Sequence, residues 1–102
     1  MGGIYLDYNQ IENILLSFGL EKHSNSEGTH FTFYKGNNHR IIFERLRPLK
    51  NGGAGGYLYA VVLDDYKNKC SKNGHICISK MSNETELRNL VKSVVNYFDS
   101  IY

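Results

Sequence analysis

Gly56-Tyr57-Leu58-Tyr59-Ala60-Val61-Val62-Leu63-Asp64-Asp65 decides how the rest of the chain is read. From Tyr57 to Leu63 every residue is apolar or aromatic, and β-branched and aromatic side chains dominate. Such a run predicts a strand at least partly covered on both faces; a helix this short would not stand. Tyr57, Tyr59, Val61 and Leu63 point one way and Leu58, Ala60 and Val62 the other. A glycine cluster precedes the run and Asp64-Asp65-Tyr66-Lys67-Asn68 follows as a turn. This is the expected central strand, and the neighbouring segments read as its partners.

Towards the N-terminus, Lys50-Asn51-Gly52-Gly53-Ala54-Gly55-Gly56 reads as a flexible hairpin tip. A phosphate-cradling loop would open a helix, whereas a strand follows here. Arg40 to Arg47 forms the preceding strand, with Ile41 and Phe43 expected on one face, Ile42 and Leu46 on the other, and Pro48 as its stop. Gly36-Asn37-Asn38 supplies the turn. Before it, Thr29-His30-Phe31-Thr32-Phe33-Tyr34-Lys35 alternates, with Phe31 and Phe33 opposite His30, Thr32 and Tyr34. A weaker strand is expected over Leu20 to His23. The first helix starts after Asp7, which caps it with Gln10 closing a capping box and Leu6 and Ile11 spaced as a staple. Its stripe is Ile11, Ile14, Leu15 and Phe18, and Gly19 ends it.

On the other side, Gly74-His75-Ile76-Cys77-Ile78-Ser79-Lys80 reads as the last strand. The closing helix is capped by Ser82 or Asn83 with Glu86 completing the box, and Leu87, Leu90, Val91, Val94 and Phe98 form its apolar face. Val95, Tyr97, Ile101 and Tyr102 are expected to widen that face. Helix, four or five mainly antiparallel strands, then helix gives one α+β domain over residues 1–102, a two-layer sandwich with both helices on one sheet face. The other face is left open and should carry a polar and aromatic mix, including His30, Thr32, Tyr34 and tyrosines of the central strand.

A chain of 102 residues supports one core, and 41% hydrophobic content with a net charge of +2 argues for a folded globule without a strong pull towards nucleic acid. The start has no basic region followed by an apolar core, and no run reaches a membrane span, so a cytoplasmic location without membrane attachment is expected. Cys70, His75 and Cys77 lack a fourth ligand at usable spacing, so neither a metal nor another cofactor is expected. Charge is uneven: Lys35, Arg40, Arg45, Arg47 and Lys50 face only Glu44 in that interval, a basic stripe on a hairpin.

The four histidines show no metalloprotease spacing and no triad. One stretch speaks for His30. A helix, then Phe18-Gly19-Leu20, then Gly28-Thr29-His30-Phe31-Thr32-Phe33, resembles the HicA family of mRNA-cleaving toxins over the first 45 residues or so. The resemblance implies a small double-stranded-RNA-binding-like fold and a metal-independent endoribonuclease with His30 catalytic, moving the 2′-hydroxyl or leaving-group proton. Lys35, Arg40 and Arg45 would then hold phosphates. Leu20 stands where that family has phenylalanine, and further strands follow Pro48 where the family has a helix.

The favoured reading is a non-enzymatic binding protein, an inhibitor or regulator of the kind carried by phages and other mobile elements. It would grip a protein partner with the open sheet face and the basic hairpin, through Tyr34, Lys35, Arg40, Arg45, Arg47, Lys50, Tyr57 and Tyr59. The ribonuclease is the runner-up. An RNA- or DNA-binding module using the 35–50 stripe, and a homodimer paired through a sheet edge, stay open beside it.

Overall fold

A computed structural model describes residues 6–50, 52–78 and 83–102. Its elements are α1 (Tyr8–Leu16), β1 (Glu21–Asn25), β2 (Gly28–Lys35), β3 (Asn38–Pro48), β4 (Ala54–Tyr59), a short 3₁₀ turn (Lys67–Lys69), β5 (His75–Cys77) and α2 (Glu84–Ile101). The five strands form one antiparallel sheet in the order β1-β2-β3-β4-β5. Each strand therefore pairs with its neighbour in sequence, with tight turns joining β1 to β2 and β2 to β3 and a longer connection, residues 60–74, joining β4 to β5. Both helices pack on one face of it, giving the α+β two-layer fold.

The helix ends follow the sequence closely. Asp7 accepts from the Gln10 N–H at 2.8 Å while the Gln10 side chain accepts from the Asp7 N–H at 2.9 Å, closing the capping box. Leu6 and Ile11 are both buried. Gly19, at φ +77°, turns the chain out of α1 into β1. Asn83 caps α2 and accepts from the Glu86 N–H; Ser82, the other expected cap, lies outside the described residues. Leu87, Leu90, Val91, Val94 and Phe98 are buried as expected, and Val95 and Tyr102 pack beside them. Tyr97 and Ile101 instead stay exposed, because they fall on the flank of α2 beyond the reach of the sheet.

The strand predicted over 56–65 begins and ends earlier. Ala54, Gly55 and Gly56 belong to β4, and the chain turns after Tyr59, where the Ala60 and Val61 N–H groups both donate to the Gly74 carbonyl. Val61, Val62 and Leu63 lie in the turn, and Val62 and Leu63 pack against the core from its rim. A run apolar on both faces thus marks the edge of a hydrophobic layer as readily as its centre. The central strand is β3, and β4 lies beside it.

β3 carries the second departure. Phe31 pairs with Phe43 but Thr32 with Ile41, which leaves Ile42 as an extra residue; Glu44 pairs with Tyr57 but Arg47 with Gly55, which leaves Arg45 as another, at φ +60°. Each bulge resets the alternation. Ile42, Phe43 and Leu46 all reach the core, and Ile41, expected to share a face with Phe43, is 43% exposed on the opposite side. Phe31 and Phe43 meet edge to face at 6.2 Å in the middle of the core. β5 is shorter than predicted; Ile78 continues its inward face and is buried, and Ser79 and Lys80 lie outside the described residues. Among the described residues no helix is long and apolar enough to cross a membrane.

Candidate functional site

Strand register determines which side chains reach the uncovered face. β2 carries no extra residue, so Thr29, Phe31, Phe33 and Lys35 share one side and His30, Thr32 and Tyr34 the other. The first set faces the helices: the hydroxyls of Thr29 and Tyr8 of α1 lie 3.0 Å apart, and Lys35 pairs with Asp99 of α2 at 3.1 Å. The second set points away from the helices, but only Tyr34 is exposed there: His30 is half-buried and Thr32, expected on the open face, is buried at 4% exposure. Cross-strand partners extend it, with His23 opposite His30, His39 opposite Tyr34, Ile41 opposite Thr32, and Tyr57 between Glu44 and Cys77. All four histidines lie on this face. Tyr34 is 48% exposed, and its ring tilts against His39 at 5.7 Å.

A trough runs along this face between β3 and the turn leading into β5. One end, about 370 Å³, is lined by His39, Arg40, Ile41, Glu44, Tyr59, Asn73 and His75; the other, about 260 Å³, by Glu44, Arg45, Tyr57, Ser71, Asn73 and His75. Glu44, Asn73 and His75 are common to both and form the floor. His75 Nε2 lies 3.9 Å from Glu44 Oε2, an ion pair when the imidazole is protonated, and the ring leans on Tyr57 and Tyr59.

Two arginines of β3 are laid against tyrosine rings. The Arg40 guanidinium carbon is 4.3 Å from the ring centre of Tyr59 and 5.7 Å from that of Phe98, a cation held over aromatic faces. Arg47 crosses β4 above Gly55, where any β-carbon would come within 3.0 Å of its guanidinium, and lies 5.9 Å from the Tyr57 ring. Its Nη1 donates to the Arg45 carbonyl at 2.9 Å, an acceptor presented by the left-handed bulge.

The basic residues singled out in the sequence do not form one stripe. Lys35 is drawn to the helix side by Asp99, Arg45 is paired with Glu27 at 3.2 Å, and Lys50 is exposed in the β3–β4 turn. Arg40 and Arg45 line the trough together with Tyr57 and Tyr59, while Arg47 lies near Tyr57 outside that lining. Glu44, Asn73 and His75 were not predicted to join them, because only the register of β5 brings residues 73 and 75 beside residue 44.

His30 stands apart from the trough, across β2. The Asn25 Oδ1 accepts from the Glu27 N–H at 2.8 Å, which turns the Asn25 amide nitrogen towards His30 Nε2 at 2.5 Å. The other ring nitrogen, Nδ1, is buried and without a hydrogen-bond partner among the described residues. A proton transfer through Nε2 would first have to break the Asn25 contact.

The remaining chemistry is sparse. Among the described residues no three histidine, cysteine, aspartate or glutamate side chains converge as a metal site. No disulfide joins Cys70 and Cys77; burial pushes the Cys70 thiol pKa up, and its Sγ–H points to the Tyr66 carbonyl at 3.2 Å. A larger hollow of about 710 Å³ lies between the 62–66 turn and the start of α2, with Asp64, Asp65 and Glu86 around Val62, Leu63 and Tyr66. Among the described residues its lining holds no histidine, cysteine or basic side chain.

No family model, curated protein or solved structure matches this chain.

Proposed function

We propose that this protein is a non-enzymatic binding protein, an inhibitor or regulator that grips a protein partner with its open sheet face. The observation carrying this reading is the exposure of Tyr34 and Ile41 on a rigid sheet whose other face is consumed by the core. Large apolar side chains beside histidine, tyrosine and arginine are the residue types that anchor protein interfaces, since they bury much area at small entropic expense and keep a polar handle. Action by occlusion needs no acid–base pair. It also suits a face on which His30 Nε2 is already engaged by Asn25.

The test is co-purification from the native cell with the wild type, with Tyr34→Glu plus Ile41→Glu, and with Ile101→Glu on α2 as the control. A protein retained by the wild type and the control but released by the face variant is the expected result. Retention by all three would overturn the reading. Metal-independent cutting of single-stranded RNA, abolished by His30→Ala, would replace it with the ribonuclease.

A further inference from the structure

We infer that the hollow between the 62–66 turn and the first half of α2 binds a linear aliphatic polyamine, a methylene chain carrying several ammonium groups. It is separate from the proposed protein-binding face, since none of its lining residues borders the trough. At about 710 Å³ it has the size of a small-ligand pocket. One wall is the turn after β4, held by the Leu63 N–H on the Ala60 carbonyl and by the Tyr66 and Lys67 N–H groups on the Leu63 carbonyl. The other is a stripe of α2 through Glu86, Asn89, Leu90 and Ser93, which the helical spacing sets on one side of the helix.

The lining divides by chemistry. Its least exposed members are apolar and form the floor: Leu90 is buried, and Val62, Leu63 and Tyr66 are half-buried and packed against the core. Around this floor Asp64, Asp65 and Glu86 are exposed, and none of the three has a basic side chain within ion-pair distance among the described residues. Glu12, Glu27, Glu84 and Asp99 are each matched to a lysine or arginine elsewhere in the fold. The Lys69 ammonium lies 5.3 Å from the ring centre of Tyr66 without joining the lining, so this ring already meets one alkylammonium of the chain itself.

The arrangement selects the ligand. Converging carboxylates would hold a metal ion, but among the described residues no such group is formed. Acids on two walls, separated by hydrocarbon, match charges that are themselves joined by hydrocarbon. Methylene runs cover Val62, Leu63, Tyr66 and Leu90, each ammonium donates to a carboxylate, and Asn83, Thr85, Asn89 and Ser93 offer oxygens to the remaining N–H groups. A peptide backbone would need partners of its own, and neither wall is a strand edge. Nucleic acid is repelled by the same three carboxylates.

The experiment is titration of the isotope-labelled full chain with spermidine at low salt, followed by amide NMR shifts. Shifts concentrated at residues 62–66 and 83–93 are expected, with a Kd below about 1 mM that weakens steeply as salt is raised. Putrescine should bind more weakly and butylamine more weakly again, because each lost ammonium removes an ion pair. Asp64→Asn plus Asp65→Asn should weaken spermidine about tenfold and Glu86→Gln about threefold. Glu21→Gln plus Glu27→Gln removes as much charge from β1 and the turn after it and should leave binding unchanged. Circular dichroism checks that each variant is folded, and Glu86→Gln decides if the Asp64 and Asp65 double variant is not. Absence of shifts at millimolar spermidine, equal binding by the hollow variants, or an equal loss in the Glu21 and Glu27 control overturns the inference. Displacement of spermidine by magnesium at equal concentration does the same, as does tighter binding of an acetylated, amidated trilysine, which would make the hollow a peptide site. None of these failures touches the protein-binding role, which the Tyr34→Glu plus Ile41→Glu variant tests separately.

Discussion

The ring of Phe43 occupies the space above Gly56, where a β-carbon would come to 2.3 Å from its edge. The glycine is in an ordinary strand, yet it is indispensable because the central aromatic of the core overlies it. Gly56→Ala must displace Phe43, which is fully buried and packed on Phe31, so destabilisation of about 2–3 kcal/mol is expected, in the range of core overpacking. Urea unfolding checks it, and adding Phe43→Leu to the variant should recover part of the loss. A neutral Gly56→Ala would mean that the β3–β4 register is not the one described.

Ile41 and Ile42 are adjacent, and the bulge sends one outward and the other into the core. Ile42→Ala should lower stability by about 2–4 kcal/mol through the cavity it leaves, while Ile41→Ala should stay within about 0.5 kcal/mol. Chemical denaturation of the pair is a direct reading of the register. Equal effects at both positions would place the bulge elsewhere.

These two positions also show how far the sequence could be read. The capping box of α1, the Asn83 cap of α2, the helical stripe of Leu87, Leu90, Val91, Val94 and Phe98, and the alternation of Thr29 to Lys35 are local patterns, and each appears as expected. The side of the sheet on which His30, Thr32 and Tyr34 lie was legible for the same reason, from the period of two, but not that Thr32 is buried there. The bulges were not. Ile41-Ile42-Phe43 carries no glycine or proline to mark the extra residue, so strict alternation put Ile41 with Phe43. The end of β4 was hidden likewise: Val61, Val62 and Leu63 look like strand, and only the pairing of Ala60 and Val61 with Gly74 stops it. The trough depends on both corrections, because Glu44 meets His75 through pairings that no short-range pattern encodes.

The two cysteines should differ in reactivity. Cys77 is exposed on β5, whereas Cys70 is partly buried with its thiol pKa raised above the ordinary 9.0 by desolvation. The thiolate is the nucleophile, so at pH 8 a smaller fraction of Cys70 is reactive and access to it is poorer. Alkylation followed by mass spectrometry should show Cys77 modified first and Cys70 lagging, with the difference lost in urea. A fast phase removed by Cys70→Ser instead of Cys77→Ser would contradict the burial described.

Lys22 of β1 reaches across to Glu12 of α1, the ion pair that fastens the outermost strand to the helical layer. The hydrogen bond that Lys22 donates to that carboxylate raises the lysine pKa above its ordinary 10.5, outweighing a desolvation effect in the other direction, and the carboxylate charge adds to the rise. A folded-state pKa above the unfolded one means that the native state holds the proton more tightly. The contribution to stability is then complete below pH 10.5 and is lost as the pH climbs through the raised value. Lys22 is open to solvent, so salt screens the pair and the effect is modest. Wild type and Lys22→Met should therefore differ in urea midpoint between pH 7 and 9, converge as the pH climbs past the raised lysine pKa, and differ less in 1 M salt. Glu12→Gln should reproduce the same loss. A gap between wild type and Lys22→Met that persists at alkaline pH would assign the role of Lys22 to the packing of its methylene chain, independent of its charge.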